Sequence, residues 1–135
     1  MIINNVKNKD ISKITHIIIE DLIINDLKNF MRELGEGYTF VGNEYKISYF
    51  SENIYVDILL FNVIFNCYVV IEIKTDKFKE EYKGQIERYI KAVDNAIKLP
   101  SQNNTIGIIM CKEVNSLRVE YVTDERIKIV KYIIK

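Results

Sequence analysis

Apolar residues recur at helical spacing through Ile14, Ile17, Ile18, Leu22, Leu27, Phe30, Met31 and Leu34. That period predicts one long amphipathic helix ending near Gly35 and Gly37. Residues 1–12 are more polar and are expected to be flexible. Tyr38–Phe50 alternates loosely and is interrupted at Gly42-Asn43, as one long strand or a strand, turn and strand would be. Ile54–Phe61 and Cys67–Lys74 are apolar runs of strand length. Over Glu80–Ile97 the period returns to a helix, with Tyr82, Ile86, Tyr89, Ile90, Val93 and Ile97 on one face and Pro100 closing it. Thr105–Met110, Leu117–Thr123 and Ile127–Ile134 read as further strands. A helix between the third and fourth strands lets the fourth lie parallel to an earlier one through a crossover. The expected fold is therefore α/β, a mixed sheet with helices packed against it.

Composition narrows the setting. A chain of 135 residues with 48% hydrophobic content and a single proline is expected to form one globular domain over 1–135. Lys plus Arg and Asp plus Glu are balanced at 19 each, so the chain lacks the basic excess of a general nucleic-acid binder. Non-specific DNA affinity should be weak, and binding should need help from a metal or a partner. Cys67 and Cys111 lie in apolar runs without disulfide or zinc spacing, as buried thiols in a reducing cytoplasm would. No signal peptide is read at the N-terminus, and Ile14–Ile24 is too short and too charged to span a bilayer. His16, the only histidine, lies in a helical pattern remote in sequence from the acidic strands and is given no metal or base role.

The candidate chemistry lies on the second and third apolar strands. Asp57 is followed, after fourteen residues, by Glu72-Ile73-Lys74. Glu72 and Lys74 are two apart, so on a strand both side chains leave the same face. A hairpin centred near Ile64-Phe65 sets Asp57 about opposite Glu72, where cross-strand Cβ atoms are roughly 5 Å apart. Two carboxylates and an ammonium would then converge, which suits a divalent cation with an anion or water beside it. The bland alternative is a solvated strand end, with Asp57 pairing locally.

The order helix-β-β-β-helix-β, with acidic residues on its second and third strands, resembles the PD-(D/E)xK nuclease superfamily. Phe30–Gly42, Val56–Phe61, Cys67–Lys74, Lys77-Phe78, Tyr82–Gln85, Tyr89, Ala92–Asp94, Asn104–Gly107 and Val119–Tyr121 follow in order the nuclease domain of the YhcG-like bacterial family. The resemblance implies a restriction-endonuclease-like fold and a Mg²⁺-dependent phosphodiesterase acting on DNA, with Mn²⁺ as a substitute and RNA not separable from DNA. It implies that Asp57, Glu72 and the Ile73 carbonyl hold the ion, which prefers oxygen ligands and keeps several waters. The ion would polarise the phosphate and acidify a water. Lys74 would orient that water or stabilise charge at the phosphate, and Gln85 would hold the water or the lysine. Tyr82 and Tyr89 share a helix side with Gln85 and either border the site or pack in the core. Glu33 either approaches the metal from the first helix or is solvated.

Several positions depart from the family pattern. Asn43 and Glu44 stand where the resemblance expects Arg and Gln, which weakens any phosphate contact there, and Lys79 replaces a proline. Val63-Ile64-Phe65 replaces a basic turn; this apolar tip either meets a second copy or partner protein or folds back onto the core. The helical domain that the family usually carries ahead of its nuclease domain is expected to be missing here. A catalytically silent nucleic-acid-binding or assembly module of the same fold is the alternative to a nuclease.

Overall fold

The computed structural model describes residues 8–114, 119–124 and 126–134. Its elements run α1 (Asn8–Asn25), α2 (Leu27–Leu34), β1 (Tyr38–Tyr49), β2 (Glu52–Asn62), β3 (Cys67–Ile73), α3 (Glu80–Ala96), β4 (Ile106–Val114), β5 (Val119–Asp124) and β6 (Ile127–Ile134). The strands form one mixed sheet in the order β1-β2-β3-β4-β6-β5. β1, β2 and β3 pair antiparallel, while β4 is parallel to both β3 and β6. The crossover through α3 is the one its sequence position predicts.

Each face of the sheet has its own apolar cluster. On one side Ile19 and Ile23 of α1 and Phe30 and Leu34 of α2 pack on Ile58, Leu60, Val69, Ile71, Ile108 and Met110. On the other, Ile86, Ile90 and Val93 of α3 pack on Val56, Leu59, Val70 and Ile109. A Cβ on Gly107 would stand 2.8 Å from Ile86 and 2.9 Å from Ile90, so the glycine lets α3 settle close against β4. Ile86 is fully buried, and truncating it to Ala would cost about 2–5 kcal/mol.

The periodic run expected as one helix is two. Asp26 leaves helical geometry at φ −134° and ψ 47°, and its carboxylate accepts a hydrogen bond from Asn29 at 3.0 Å. The break lets the short α2 turn Phe30 and Leu34 into the core. Residues 8–12, expected to be flexible, form the start of α1, whereas 1–7 lie outside the described residues. Of the run Tyr38–Phe50, Tyr38–Tyr49 forms one long strand with a bulge between Phe40 and Gly42, and Phe50 begins the turn that follows. At the β2–β3 turn, Asn62 is buried; its Oδ1 accepts from the backbone of Ile64 and Phe65, and its amide donates to the Glu36 carbonyl. Those bonds hold Val63, Ile64 and Phe65 outward, exposed to solvent. Ile14, Ile17, Ile18 and Leu22 lie exposed on the outer side of α1. Among the described residues, no helix is long and apolar enough to cross a membrane.

Candidate metal centre

The site forms where β2 and β3 part. Their rungs run from Asn62↔Cys67 to Ile58↔Ile71, which puts Asp57 and Glu72 next in register. There the ladder opens and side chains replace main chain. Asp57 Oδ2 accepts from the Ile73 amide at 2.7 Å, and the Asp57 amide donates to Glu72 Oε1 at 3.3 Å. The apolar alternation of β2 slips at this residue: Val56 and Leu59 join the α3-side cluster, Ile58 and Leu60 the α1-side cluster. Both carboxylates are buried, Asp57 at 8% exposure and Glu72 at 4%. Burial, and then repulsion from the Asp57 carboxylate, hold the Glu72 carboxyl well above the ordinary glutamate pKa.

α3 supplies one wall. Lys74 Nζ donates to Gln85 Oε1 at 2.5 Å, and the Gln85 amide nitrogen donates to the Tyr89 hydroxyl at 3.2 Å. The Lys74 ammonium also lies 4.6 Å from the centre of the Tyr82 ring, a cation–π contact. Its backbone is fixed at both ends. Lys74 N–H donates to the Met110 carbonyl at 2.8 Å, and its carbonyl accepts from the Tyr132 hydroxyl at 2.7 Å. Tyr82 and Tyr89 therefore do both things the sequence left open, bordering the cleft and packing against the α3-side core. Burial raises the Tyr89 hydroxyl pKa first, and the charge of Glu72 adds to it.

α1 supplies the other wall. His16, expected from its sequence position to lie far from the acids, is 41 positions from Asp57, yet its Nε2 stands 3.1 Å from Asp57 Oδ2. Its Nδ1 lies 3.8 Å from Glu20 Oε2, one helical turn away. The hydrogen bond to Asp57 outweighs desolvation and raises the His16 pKa. Ligand atoms of His16, Glu20 and Asp57 lie within 4.8 Å of one another, a spacing that suits one cation. Glu20 is buried at 6% exposure, and burial followed by the nearby Glu44 carboxylate raises its pKa to about 7. Asn43 donates to Glu20 Oε1 at 3.4 Å. Glu33, the helix glutamate singled out from sequence, lies on α2 in a separate depression with Asp26, Asn29, Phe30 and Arg32. The break at Asp26 sends it elsewhere, and Glu20 takes the place beside Asp57. The available signal was Glu20 itself, an acid among the isoleucines of α1, in step with His16 four residues earlier.

His16, Asp57, Glu72, Lys74 and Gln85 open onto a cleft of about 420 Å³, bordered also by Lys13, Tyr55 and Thr75. The donor set of carboxylates and one imidazole fits a hard divalent cation. Two clustered acids carry raised pKa values, as expected of carboxyls that lack a neutralising charge.

Comparison with known proteins agrees with this architecture. A repair endonuclease from Pyrococcus abyssi superposes on 69% of this chain and 35% of its own, with a TM-score of 0.50 and 22% identity, a likeness of fold. The structure of an EndoMS–dsDNA complex covers 68% of this chain and 33% of its own at a TM-score of 0.48 and 15% identity. In sequence, the Escherichia coli (strain K12) protein named "Putative nuclease YhcG" is 30% identical over 102 residues, covering 76% of this chain. The chain spans only 27% of that relative's length. The profile of the YhcG PDDEXK nuclease domain matches residues 6–134, from before the site histidine to the last strand. With the acids of β2 and β3 meeting where those strands part, the chain belongs to the YhcG PDDEXK nuclease domain family.

Proposed function

We propose that this chain is a cytoplasmic, metal-dependent nuclease domain that hydrolyses phosphodiester bonds in DNA. The observation that carries the reading is the opened end of the β2–β3 ladder, where Asp57, Glu72 and Lys74 meet in one cleft. Asp57, Glu72 and the Ile73 carbonyl would hold Mg²⁺ or Mn²⁺, with His16 and Glu20 extending the donor set from α1. Bound there, the ion would draw charge from the scissile phosphate and lower the pKa of the attacking water. The protein's own part is positioning. Asp57 is aligned by the Ile73 amide and, before an ion binds, by the His16 imidazole. Lys74 is aimed by Gln85 and the Tyr82 ring, and its ammonium stabilises negative charge at the phosphate or orients the water. Gln85 in turn is held by Tyr89.

A silent binding or assembly module is favoured by one feature, the Glu44 carboxylate beside Glu20, which adds negative charge where a phosphate would approach. The deciding experiment is cleavage of single-stranded, duplex and branched DNA, and of RNA, with Mg²⁺ or Mn²⁺. Metal-dependent cutting that disappears in Glu72→Ala and Lys74→Ala supports the nuclease. A folded wild type that cuts none of them supports the module.

A further inference from the structure

Beyond the metal cleft, three depressions follow one another along α3. The cleft reaches Tyr82 and Gln85, and both also line the next depression with Glu81, Gly84 and Arg88. Arg88 then lines a third, with Tyr49, Phe50, Ser51 and Glu52 of the β1–β2 turn. The surface thus leads from the acids to the tip of the longest hairpin.

Three choices of residue along it are unfavourable or unneeded for the fold. Phe50 is 89% exposed, although it is a large apolar side chain. It opens the two-residue turn closed by the Tyr49↔Glu52 rung, at φ 54°, a conformation that suits Gly or Asn. Its ring stays beside Tyr49, with centroids 4.5 Å apart. Gly84 sits inside α3, where alanine would strengthen the helix, and a Cβ there would meet nothing within 4 Å. Arg88 lies 5.7 Å from the Tyr89 ring and forms no ion pair among the described residues. An exposed strained aromatic, spare room and a cation without an ion pair point to something outside the chain.

We propose that this surface is a track for an unpaired nucleic-acid strand, with a base stacked on Phe50 and Tyr49 and a phosphate on Arg88 before the chain crosses Gly84 into the cleft. Its direction into the cleft rests on the nuclease reading. The substrate class follows from charge and shape. Arg88 is the one cation lining the two outer depressions, and Glu52 and Glu81 oppose it, so phosphate contacts alone bind weakly. Stacking must supply affinity, and a projecting ring finds a free base face on single strands, flaps and junctions rather than inside a blunt duplex.

The test is the binding of labelled oligothymidylate, of the same strand with abasic sites, and of a blunt duplex of equal length, at low salt in EDTA. Phe50→Asn suits the turn and should melt at the wild-type temperature or above. Loss of one stacked base should weaken single-strand binding about 5- to 100-fold, with duplex binding unchanged. Phe50→Trp should retain affinity, and wild type and Phe50→Asn should bind the abasic strand alike. Equal single-strand affinity of wild type and Phe50→Asn overturns the track, as does an equal loss on the duplex, which would mark a partner other than an unpaired base. A wild type that binds no single strand overturns it too. Metal-dependent cleavage, measured in parallel, separates the claims: cutting without dependence on Phe50 leaves the nuclease and removes the track, while Phe50-dependent binding without cutting does the reverse.

Discussion

Asp94 and Asp57 both serve one sheet as buried or half-buried carboxylates, but their surroundings differ in one respect, the source of the opposing charge. Asp94, on α3, accepts from the Thr105 amide at 3.0 Å and from the Arg126 guanidinium at 2.8 Å. Arg126 also donates to the Thr105 carbonyl, so α3, β4 and the entry to β6 are tied in one closed network. Burial pushes the Asp94 carboxyl up, but those hydrogen bonds and the guanidinium outweigh it, and its pKa settles below the ordinary value. Around Asp57 the neighbours are Glu72, Glu20 with Glu44 behind it, and an imidazole. Lys74 turns its ammonium onto an uncharged amide. The first cluster neutralises itself and fastens the fold. The second gathers acid without a full counter-charge, which is what a cation site needs and a structural site avoids.

Substitutions should separate the two clusters. Glu72→Gln keeps the shape of the side chain and removes its charge. Cleavage should fall by about 10²–10³-fold, while the metal-free protein should melt higher at pH 8 because a buried like-charge contact is gone. Paired cleavage and melting measurements check both signs. Gln85→Ala should cost about 10- to 100-fold in rate, since it frees Lys74 without touching the acids, and the loss should appear in kcat. Arg126→Ala should do the opposite, lowering stability by about 1–3 kcal/mol in denaturant titration with cleavage per folded molecule unchanged.

The smallest effect is a pH dependence. A carboxyl whose folded pKa lies above its unfolded value binds more protons when folded, so its stabilising contribution is lost as pH rises. For Glu20 that contribution is complete below about 4.5 and gone once pH has passed about 7. Glu72 and His16, both raised, act in the same direction. The metal-free protein should therefore melt lower at pH 8 than at pH 5, on the order of 5 °C, and Mn²⁺ should restore more of the loss at pH 8. Melting curves at the two pH values, with and without Mn²⁺, check this.

How much of this was legible in the chain differs by element. The β2–β3 register could be read because apolar runs flank a short turn, so the hairpin centre near Ile64-Phe65 sets Asp57 against Glu72 within one residue. The Lys74–Gln85 contact follows the same local logic, since α3 returns directly over the strand it leaves. His16 and Glu20 were not legible from strand patterns, because their place depends on how α1 crosses the sheet and that angle is set by core packing. The period from Ile14 to Leu34 continues in step across Asp26, and without a Pro or Gly it conceals the break that removes Glu33 from the site. Hydrophobicity misleads at Val63–Phe65 and Phe50, where apolar side chains are held outward by turn geometry.

Mn²⁺ binding, followed by the electron paramagnetic resonance of the free ion at pH 7.5 or about that value, tests the contrast most directly. The account predicts saturable binding by wild type, loss of it in Asp57→Asn and Glu72→Gln, and retention in Arg126→Ala. Binding that survives removal of both site carboxylates, or a folded wild type that binds no Mn²⁺, would contradict it.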